Sequence, residues 1–328
     1  MAARVSVLLP AFRPTYLTQA IASVLTQGFG DYELLINDDS IGEEVRAIVE
    51  RFADPRIRYS RTAGGEGGAE NSRQLWAMAN SDLIKFMFDD DVLLPHALGE
   101  LVGLVEANPG ATFAFGHRDF IDADGRITSE PRVIAPGAIV TLDSQQVSGL
   151  LIGGLANRIG EMPNVLINRA TGVNLDDMLD YAGFPVGMLA DVSFYLTASR
   201  RGPAVGIGRT ISQYRKHPNQ NSSIGYNPAF FRGIIEWELF IRGETALGHL
   251  TPEQAVAAAG KLEGGYRNWG EALPELSILA PGLARLGDRI RGGERDLIDD
   301  DFRARWDETV EAARLRNAAK PSVLRREG

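Results

Sequence analysis

Apolar residues fall into short unbroken runs separated by stretches of helical spacing, and the alternation is most regular in the first third of the chain. Val5 to Leu9 is a continuous β-branched and leucine run closed by Pro10, the pattern of a strand buried on both faces. Thr15 to Thr26 places Leu17, Ile21, Val24 and Leu25 at helical spacing after Pro14. Asp31 to Asn37 (DYELLIN) then reads as a second strand running into Asp38 and Asp39, which completes one βαβ unit and predicts a parallel sheet. Glu43 to Phe52 reads as a short charged helix, Ile57 to Ser60 as a brief strand, Thr62 to Gly68 (TAGGEGG) as a glycine loop, and Ala69 to Ala79 as a helix. Leu83 to Phe88 (LIKFMF) is a further hydrophobic strand, and it runs directly into Asp89, Asp90 and Asp91.

Beyond this the regularity weakens. A helix is expected over Pro95 to Glu106, a strand over Thr112 to Gly116, and a hairpin at Asp122 to Gly125 (DADG). Residues 140–180 read as helices and loops around Gly153, Gly154 and Pro163. Pro185 to Ser199 combines a turn with a helix carrying Asp191, and a short strand at Ala204 to Ile207 precedes the polar segment Gln213 to Ser223. After about residue 226 the spacing is helical throughout, clearest at Ile234 to Ile241, Pro252 to Trp269 and Asp301 to Arg314, and it needs no strand there; the basic tail from Lys320 to Gly328 reads as frayed. Three parts are therefore expected: residues 1–105, residues 106–225, and a helical region over 226–328.

Composition narrows the functional classes. The chain has 328 residues, 44% of them hydrophobic and 23% charged, which is ordinary for a globular fold. Lys and Arg number 34 against 43 Asp and Glu, a net charge of -9, so no long-range attraction for a polyanion exists and nucleic acid is not an expected partner. The absence of cysteine rules out a disulfide framework, a thiolate metal site and a cysteine nucleophile, and agrees with a reducing, cytoplasmic location. No run approaches the roughly 18 apolar residues that span a bilayer, and the N-terminal run ends at Pro10 as a strand does, not at a signal cleavage site.

The chemistry collects at two predicted strand ends. Three consecutive carboxylates after a buried strand repel one another and raise each other's pKa unless a cation neutralises them. A hard divalent ion such as Mg²⁺ or Mn²⁺ takes carboxylate oxygens and leaves positions for the oxygens of a nucleoside diphosphate at the carboxyl edge of the sheet. A solvated acidic turn is the plain alternative. Asp38 and Asp39 end the second strand at the same edge, where a carboxylate can accept hydrogen bonds from a base or ribose. Asp39 or Ser40 can equally cap the following helix, with Glu43 completing a capping box on Ser40. Trp76, Trp237 and Trp269 lie at helical spacing among apolar neighbours and read as core residues ahead of sugar-stacking platforms.

The order VSVLLPAF, DYELLINDDS, GGAENSRQLWAMANSDLIKFMFDDDVLLPHAL resembles the family 2 glycosyltransferases of the GT-A fold, closely over residues 4–105 and more thinly to about 220. The resemblance implies an α/β fold, Rossmann-like with a mostly parallel sheet and flanking helices. It makes residues 1–105 the half that binds a nucleotide-sugar and 106–225 the acceptor half. Carried over by position, it implies that Pro10, Ala11 and Phe12 line the base and that Asp39 binds base or ribose. Asp89 to Asp91 would be the Asp-x-Asp motif, with Asp91 and Asp89 as metal ligands, Asp90 beside them on the donor, and Mn²⁺ or Mg²⁺ as cofactor. MLADVSFYLTASRRG resembles the segment that carries the general base, which points to Asp191, although the Glu that often precedes it is Ala190 here. His217 in YRKHP would complete the metal or diphosphate site, with Arg215 and Lys216 on the leaving diphosphate. Arg73 would do likewise, although the family's Arg-Asn pair reads Glu70-Asn71 here.

The expected activity is inverting, non-processive transfer of a sugar from a UDP, GDP or dTDP donor to a glycan, glycolipid or small-molecule hydroxyl, with membrane contact only through the acceptor and a possible homo-oligomer. Processive relatives carry Gln-x-x-Arg-Trp and membrane helices, whereas this chain has Gln213-Tyr214-Arg215-Lys216-His217 and no span. A phosphatase of the haloacid dehalogenase type needs its aspartates on the first strand, and a nucleotidyltransferase needs a Gly-rich loop where PAFRPTY stands. GGEGG lacks the Lys-Ser/Thr of a phosphate-binding loop. A non-catalytic nucleotide- or glycan-binding module remains the competing class.

Overall fold

The computed structural model describes residues 3–220, 222–223, 227, 229–270, 273–274 and 276–319. Its first third follows the apolar pattern closely: β1 (Val5–Ala11), α1 (Leu17–Leu25), β2 (Tyr32–Asp38), α2 (Glu44–Val49), β3 (Ile57–Arg61), α3 (Gly68–Met78) and β4 (Leu83–Phe86). After a short β5 (Val92–Leu93) come α4 (Ala97–Ala107), β6 (Phe113–Ile121), β7 (Ile127–Ser129), β8 (Ile139–Leu142), α5 (Ser144–Ile152) and β9 (Val165–Asn168). The chain continues with α6 (Asp176–Leu179), a small hairpin of β10 (Asp180–Tyr181) and β11 (Phe184–Pro185), α7 (Ala190–Ala198), and the long β12 (Ala204–Arg215). Four helices close it: α8 (Arg232–Ala246), α9 (Pro252–Trp269), α10 (Leu276–Arg291) and α11 (Asp300–Ala318).

The central sheet runs β3-β2-β1-β4-β9-β6-β12-β5, with β7 on β6 and β8 on β12. β1 to β4 are all parallel, as the βαβ pattern predicts, while β9 enters antiparallel to both β4 and β6. The register pairs Ala11 with Asp38 and Leu8 with Phe86, so the carboxyl ends of β1, β2 and β4 form one edge and their trailing aspartates converge there.

Alternation on β1 splits the core between the two faces of the sheet. Val5, Val7 and Leu9 pack with Leu17, Ile21, Leu98 and Leu101 of α1 and α4. Leu8 belongs to the larger cluster with Leu75, Phe113, Phe194, Phe231, Phe240 and Phe302, which joins the sheet to α7, α8 and α11 in one continuous core. Trp76 stacks on Phe86 at 6.3 Å between ring centres and Trp237 meets Phe240 edge-on, both against that core. The Trp269 side chain and residues 320–328 lie outside the described residues.

Three expectations change. β12 continues through Gln213, Tyr214 and Arg215, paired with Asp119, Phe120 and Ile121, where polarity suggested a loop. β6 likewise extends five residues beyond Gly116, and β9 is a strand in a region read as helices and loops. Ser40 and Glu43 form no capping box, because α2 begins at Glu44, Ser40 Oγ donates to the Gly42 carbonyl and Glu43 pairs with Arg61.

Candidate active site

Asp89 turns toward the end of β1, where its Oδ2 accepts the backbone N–H groups of Phe12 (2.9 Å) and Arg13 (2.7 Å). Pro10, Ala11 and Phe12 thereby sit beside the aspartate cluster at one edge of the sheet. Burial and then Asp90 push the Asp89 carboxyl up to about 6, against the two amides that favour its charge. Asp91 is almost fully buried and accepts the Arg215 N–H at 2.9 Å through Oδ1; burial first, then Asp90, raises its pKa well above the usual carboxylate range. Asp90 faces the other way, with its Oδ2 3.1 Å from His217 Nε2, while the His217 ring rests against Tyr16. The three carboxylates are separated onto three sets of partners, yet they still perturb one another.

Asp39 organises the glycine loop. Its carboxylate accepts the Thr62 hydroxyl and the N–H groups of Glu66 (3.0 Å) and Gly67 (2.8 Å), and its carbonyl accepts Gly65 N–H. Gly64, Gly65 and Gly67 have φ of 92°, 78° and 96°, so only a glycine-rich loop curls its amides onto this carboxylate. Asp38 is enclosed, with Ser40 N–H on one oxygen and the Tyr59 hydroxyl on the other.

Arg215 departs from the expected role on a diphosphate. It is 1% exposed and spends its guanidinium on Asp90 O, Asp122 O, Ala123 O and Gln19 Oε1, over the Tyr16 ring, so it staples β4, β6 and α1 together. Lys216 is exposed, its ammonium 4.1 Å from the Phe120 ring centre. Arg73 is half-exposed and lies 3.8 Å from Asp176, a neighbour the spacing does not indicate.

Asp191 occupies the first turn of α7 and keeps some solvent contact. Asn157 Nδ2 donates to its Oδ2 at 2.6 Å, and the residue's position is shared with a knot of groups that no motif announces. Asn157 also closes the Gly160 turn in both directions, Tyr195 OH donates to Gly160 O, and Arg118 donates to Asn157 O while its Nε lies 2.6 Å from Glu161 Oε2. Burial, then the nearby Glu161 carboxylate, push Asp191 up to about 7. Glu161 also raises Asp91, so its charge acts on both acidic groups. Beneath them, fully buried Lys85 donates its ammonium to the Pro163 carbonyl, and burial lowers it to about 7.

No three His, Asp or Glu side chains are gathered around one point among the described residues. The donor set nevertheless suits a hard divalent ion. Asp90 Oδ2 lies 3.1 Å from His217 Nε2 and Asp91 follows it in the chain, and an octahedral ion commonly uses only one or two carboxylates and takes its other ligands from phosphate and water. Asp89 is the less available of the three, because its Oδ2 already holds two amides.

Comparison with known proteins fits this geometry. Residues 6–152 match the model for glycosyl transferase family 2. The GalNAc(5)-diNAcBac-PP-undecaprenol beta-1,3-glucosyltransferase of Campylobacter jejuni is 30% identical over 39% of this chain and 41% of its own. The UDP-Glc:alpha-D-GlcNAc-diphosphoundecaprenol beta-1,3-glucosyltransferase WfgD of Escherichia coli is 28% identical over 36% and 47%. The chain thus spans less than half the length of these two relatives. Among solved structures, S. aureus TarS 1-349 superposes with a TM-score of 0.60 over 97% of this chain and 92% of its own at 14% identity; its complex with UDP-GlcNAc gives 0.54 over 94% and 92% at 15% identity. At that identity the likeness establishes the GT-A fold, including the helical region that follows it.

Proposed function

We propose, for a chain whose residues 6–152 match the model for glycosyl transferase family 2, that it moves a sugar from a nucleoside diphosphate, UDP first among the candidates, to an acceptor hydroxyl with inversion. The observation that carries the reading is a pair of acidic groups that both feel the Glu161 carboxylate: the aspartates after β4 at the carboxyl edge of the sheet, and Asp191 on α7 with its carboxyl pushed up to about 7. The first suits a diphosphate, the second a proton transfer. The UDP-sugar assignment draws on the UDP-GlcNAc bound by TarS and the UDP-Glc in the name of WfgD.

In this reading Pro10, Ala11 and Phe12 flank the base, and Asp39 shapes the glycine loop that closes over the nucleotide. Arg73 stands farther out and its exposed guanidinium is left for the donor's outer part. Asp91, with Asp90 and His217, would hold Mn²⁺ or Mg²⁺, and Asp89 backs them by fixing the end of β1. Such an ion supplies charge neutralisation for the departing diphosphate. Asp191 accepts the proton of the acceptor hydroxyl as its oxygen forms the bond to the anomeric carbon; the bond from that carbon to the diphosphate breaks on the opposite face. A carboxyl near 7 is basic enough to take the proton and still ionised in half its copies at neutral pH. The acceptor class is a glycan or glycolipid, by the undecaprenol-linked substrates named for the two relatives.

The test is a thermal-shift panel of UDP, GDP and dTDP, each with and without Mn²⁺, followed by release of UDP from UDP-glucose and UDP-GlcNAc. A Mn²⁺-dependent rise in Tm with UDP is expected, because a ligand bound only by the native state stabilises it. No shift with any of the three diphosphates overturns the transferase reading.

A further inference from the structure

The helices after β12 contain one carboxylate placed for the site rather than for their own packing. Glu236 on α8 is 0% exposed, and its side chain reaches out of the helix to a neighbouring loop. Its Oε1 accepts Gly187 N–H at 2.8 Å and Met188 N–H at 3.1 Å, and its Oε2 accepts Met188 N–H at 2.9 Å and Leu189 N–H at 2.7 Å. These are three successive amides, and they immediately precede α7. Leu189 is the N-cap of α7 and has no side chain able to cap it, so amides at the helix start are satisfied from outside by Glu236. Two residues beyond the last of them is Asp191.

The environment of Glu236 holds the carboxylate in place: burial raises its pKa, against Arg232 and the three amides, which favour the charged form. Arg232, one turn earlier on α8, has its Nε 3.1 Å from Oε1, donates to the Pro185 carbonyl, and lies over the Trp306 ring of α11. Four N–H contacts need the acceptor capacity of two carboxylate oxygens; a glutamine offers one oxygen and turns an NH₂ donor toward donors.

We propose that the C-terminal helical layer is part of the transfer machinery, with Glu236 a positioning residue that grips the amides of 187–189 and so sets where Asp191 stands toward the acceptor. The inference rests on Asp191 being the base. It follows that α8 reaches the reaction through backbone amides and touches no substrate.

The test uses the full chain: wild type, E236Q, E236D and D191N, assayed for UDP release from UDP-glucose and UDP-GlcNAc with water as acceptor, together with amide hydrogen exchange over 187–192. E236Q is expected to lower kcat about tenfold or more, as a displaced catalytic group does, with the donor KM within about twofold of wild type. Amides 187–192 should exchange faster while α9 and α10 keep their protection, and E236D should restore part of kcat. Normal turnover by E236Q beside a silent D191N overturns the positioning role alone. Loss of protection throughout α9 and α10 in both Glu236 variants makes the residue merely structural and also overturns it. Wild-type turnover by D191N, or none by wild type on either donor, removes the base reading beneath it and the inference with it.

Discussion

Replacing Asp191 with Asn sets activity against stability, and the structure gives both signs. The carboxyl is pushed up to about 7, first by burial and then by Glu161; an unperturbed aspartate titrates near roughly 3.9. Below about pH 4 the group is protonated in folded and unfolded chains alike, and it has no effect on stability. Above that, unfolding releases a proton, so stability falls by about 1.4 kcal/mol per pH unit until about pH 7 and is level beyond it. The whole span is on the order of 4 kcal/mol, an upper bound because Asp191 keeps solvent contact. Asparagine abolishes this cost but offers one acceptor oxygen to two donors, Asn157 Nδ2 and Val192 N–H, which returns about 1–2 kcal/mol. Asp191→Asn should therefore be roughly 2 kcal/mol more stable than wild type at pH 8, a few degrees in Tm, and no more stable at pH 4.5. Over the same change, turnover should fall at least about 10²-fold, or about 2.7 kcal/mol in the barrier, and wild-type kcat should rise with pH through about 7. Differential scanning fluorimetry at the two pH values and UDP release between pH 5.5 and 8.5 check both arms. A variant that loses stability at pH 8 relative to pH 4.5 refutes the burial argument; one that turns over at the wild-type rate refutes the proton transfer.

Arg215→Ala should cost about 3 kcal/mol or more in urea unfolding, because the buried guanidinium holds Asp90, Asp122 and Gln19 together and leaves their acceptors unpaired; a loss below about 1 kcal/mol contradicts the staple. Asp39→Ala frees the Thr62, Glu66 and Gly67 donors, and calorimetry should show UDP binding weakened by about tenfold together with a lowered Tm, whereas unchanged UDP affinity removes the loop from the donor site. Asp91→Asn should leave UDP affinity insensitive to added Mn²⁺, and a titration in which Mn²⁺ still tightens binding places the ion elsewhere.

What the sequence made legible follows from the range of the interactions concerned. The βαβ succession to β4 comes from local periodicity, and the aspartates at Asp38 to Asp39 and Asp89 to Asp91 are visible because they follow apolar runs whose ends must line one edge of a parallel sheet. β12 was missed beyond Ile207 for the opposite reason. Ser212 and Arg215 are buried polar residues, satisfied by Asn164, Asp90 and Asp122 from far along the chain, so an alternation of apolar and polar positions does not appear. The second half of β6 hides likewise behind buried His117, Arg118 and Asp119. Local rules fail where a strand carries buried polar residues whose partners lie far along the chain, and Arg215 and Arg118, which reach Asp91 and Asn157, are such residues.

The same contrast separates the two acidic groups. The donor-side cluster is contiguous in sequence and its chemistry is readable from three letters. The proposed acceptor-side group is assembled from Arg118, the turn of Asn157 to Glu161, and Asp191, on three separate stretches, and is held from a fourth by Glu236. Ala190 in place of a glutamate looks, in the sequence, like a weakened site. In the folded chain a second carboxylate stands near Asp191 all the same, delivered by Glu161 from the turn at Gly160, and it acts in the direction a base requires by making Asp191 harder to ionise. A single carboxylate on a solvent-facing helix end would titrate near its ordinary value and be a poor base for a hydroxyl. Burial first and the Glu161 charge second push the Asp191 carboxyl up to about 7, against the Val192 amide, Arg118 and Asn157, which favour its charged form. The catalytic competence proposed for Asp191 is therefore a property of tertiary packing, and it should be lost by substitutions, such as Glu236→Gln, that alter no residue of the proposed site itself.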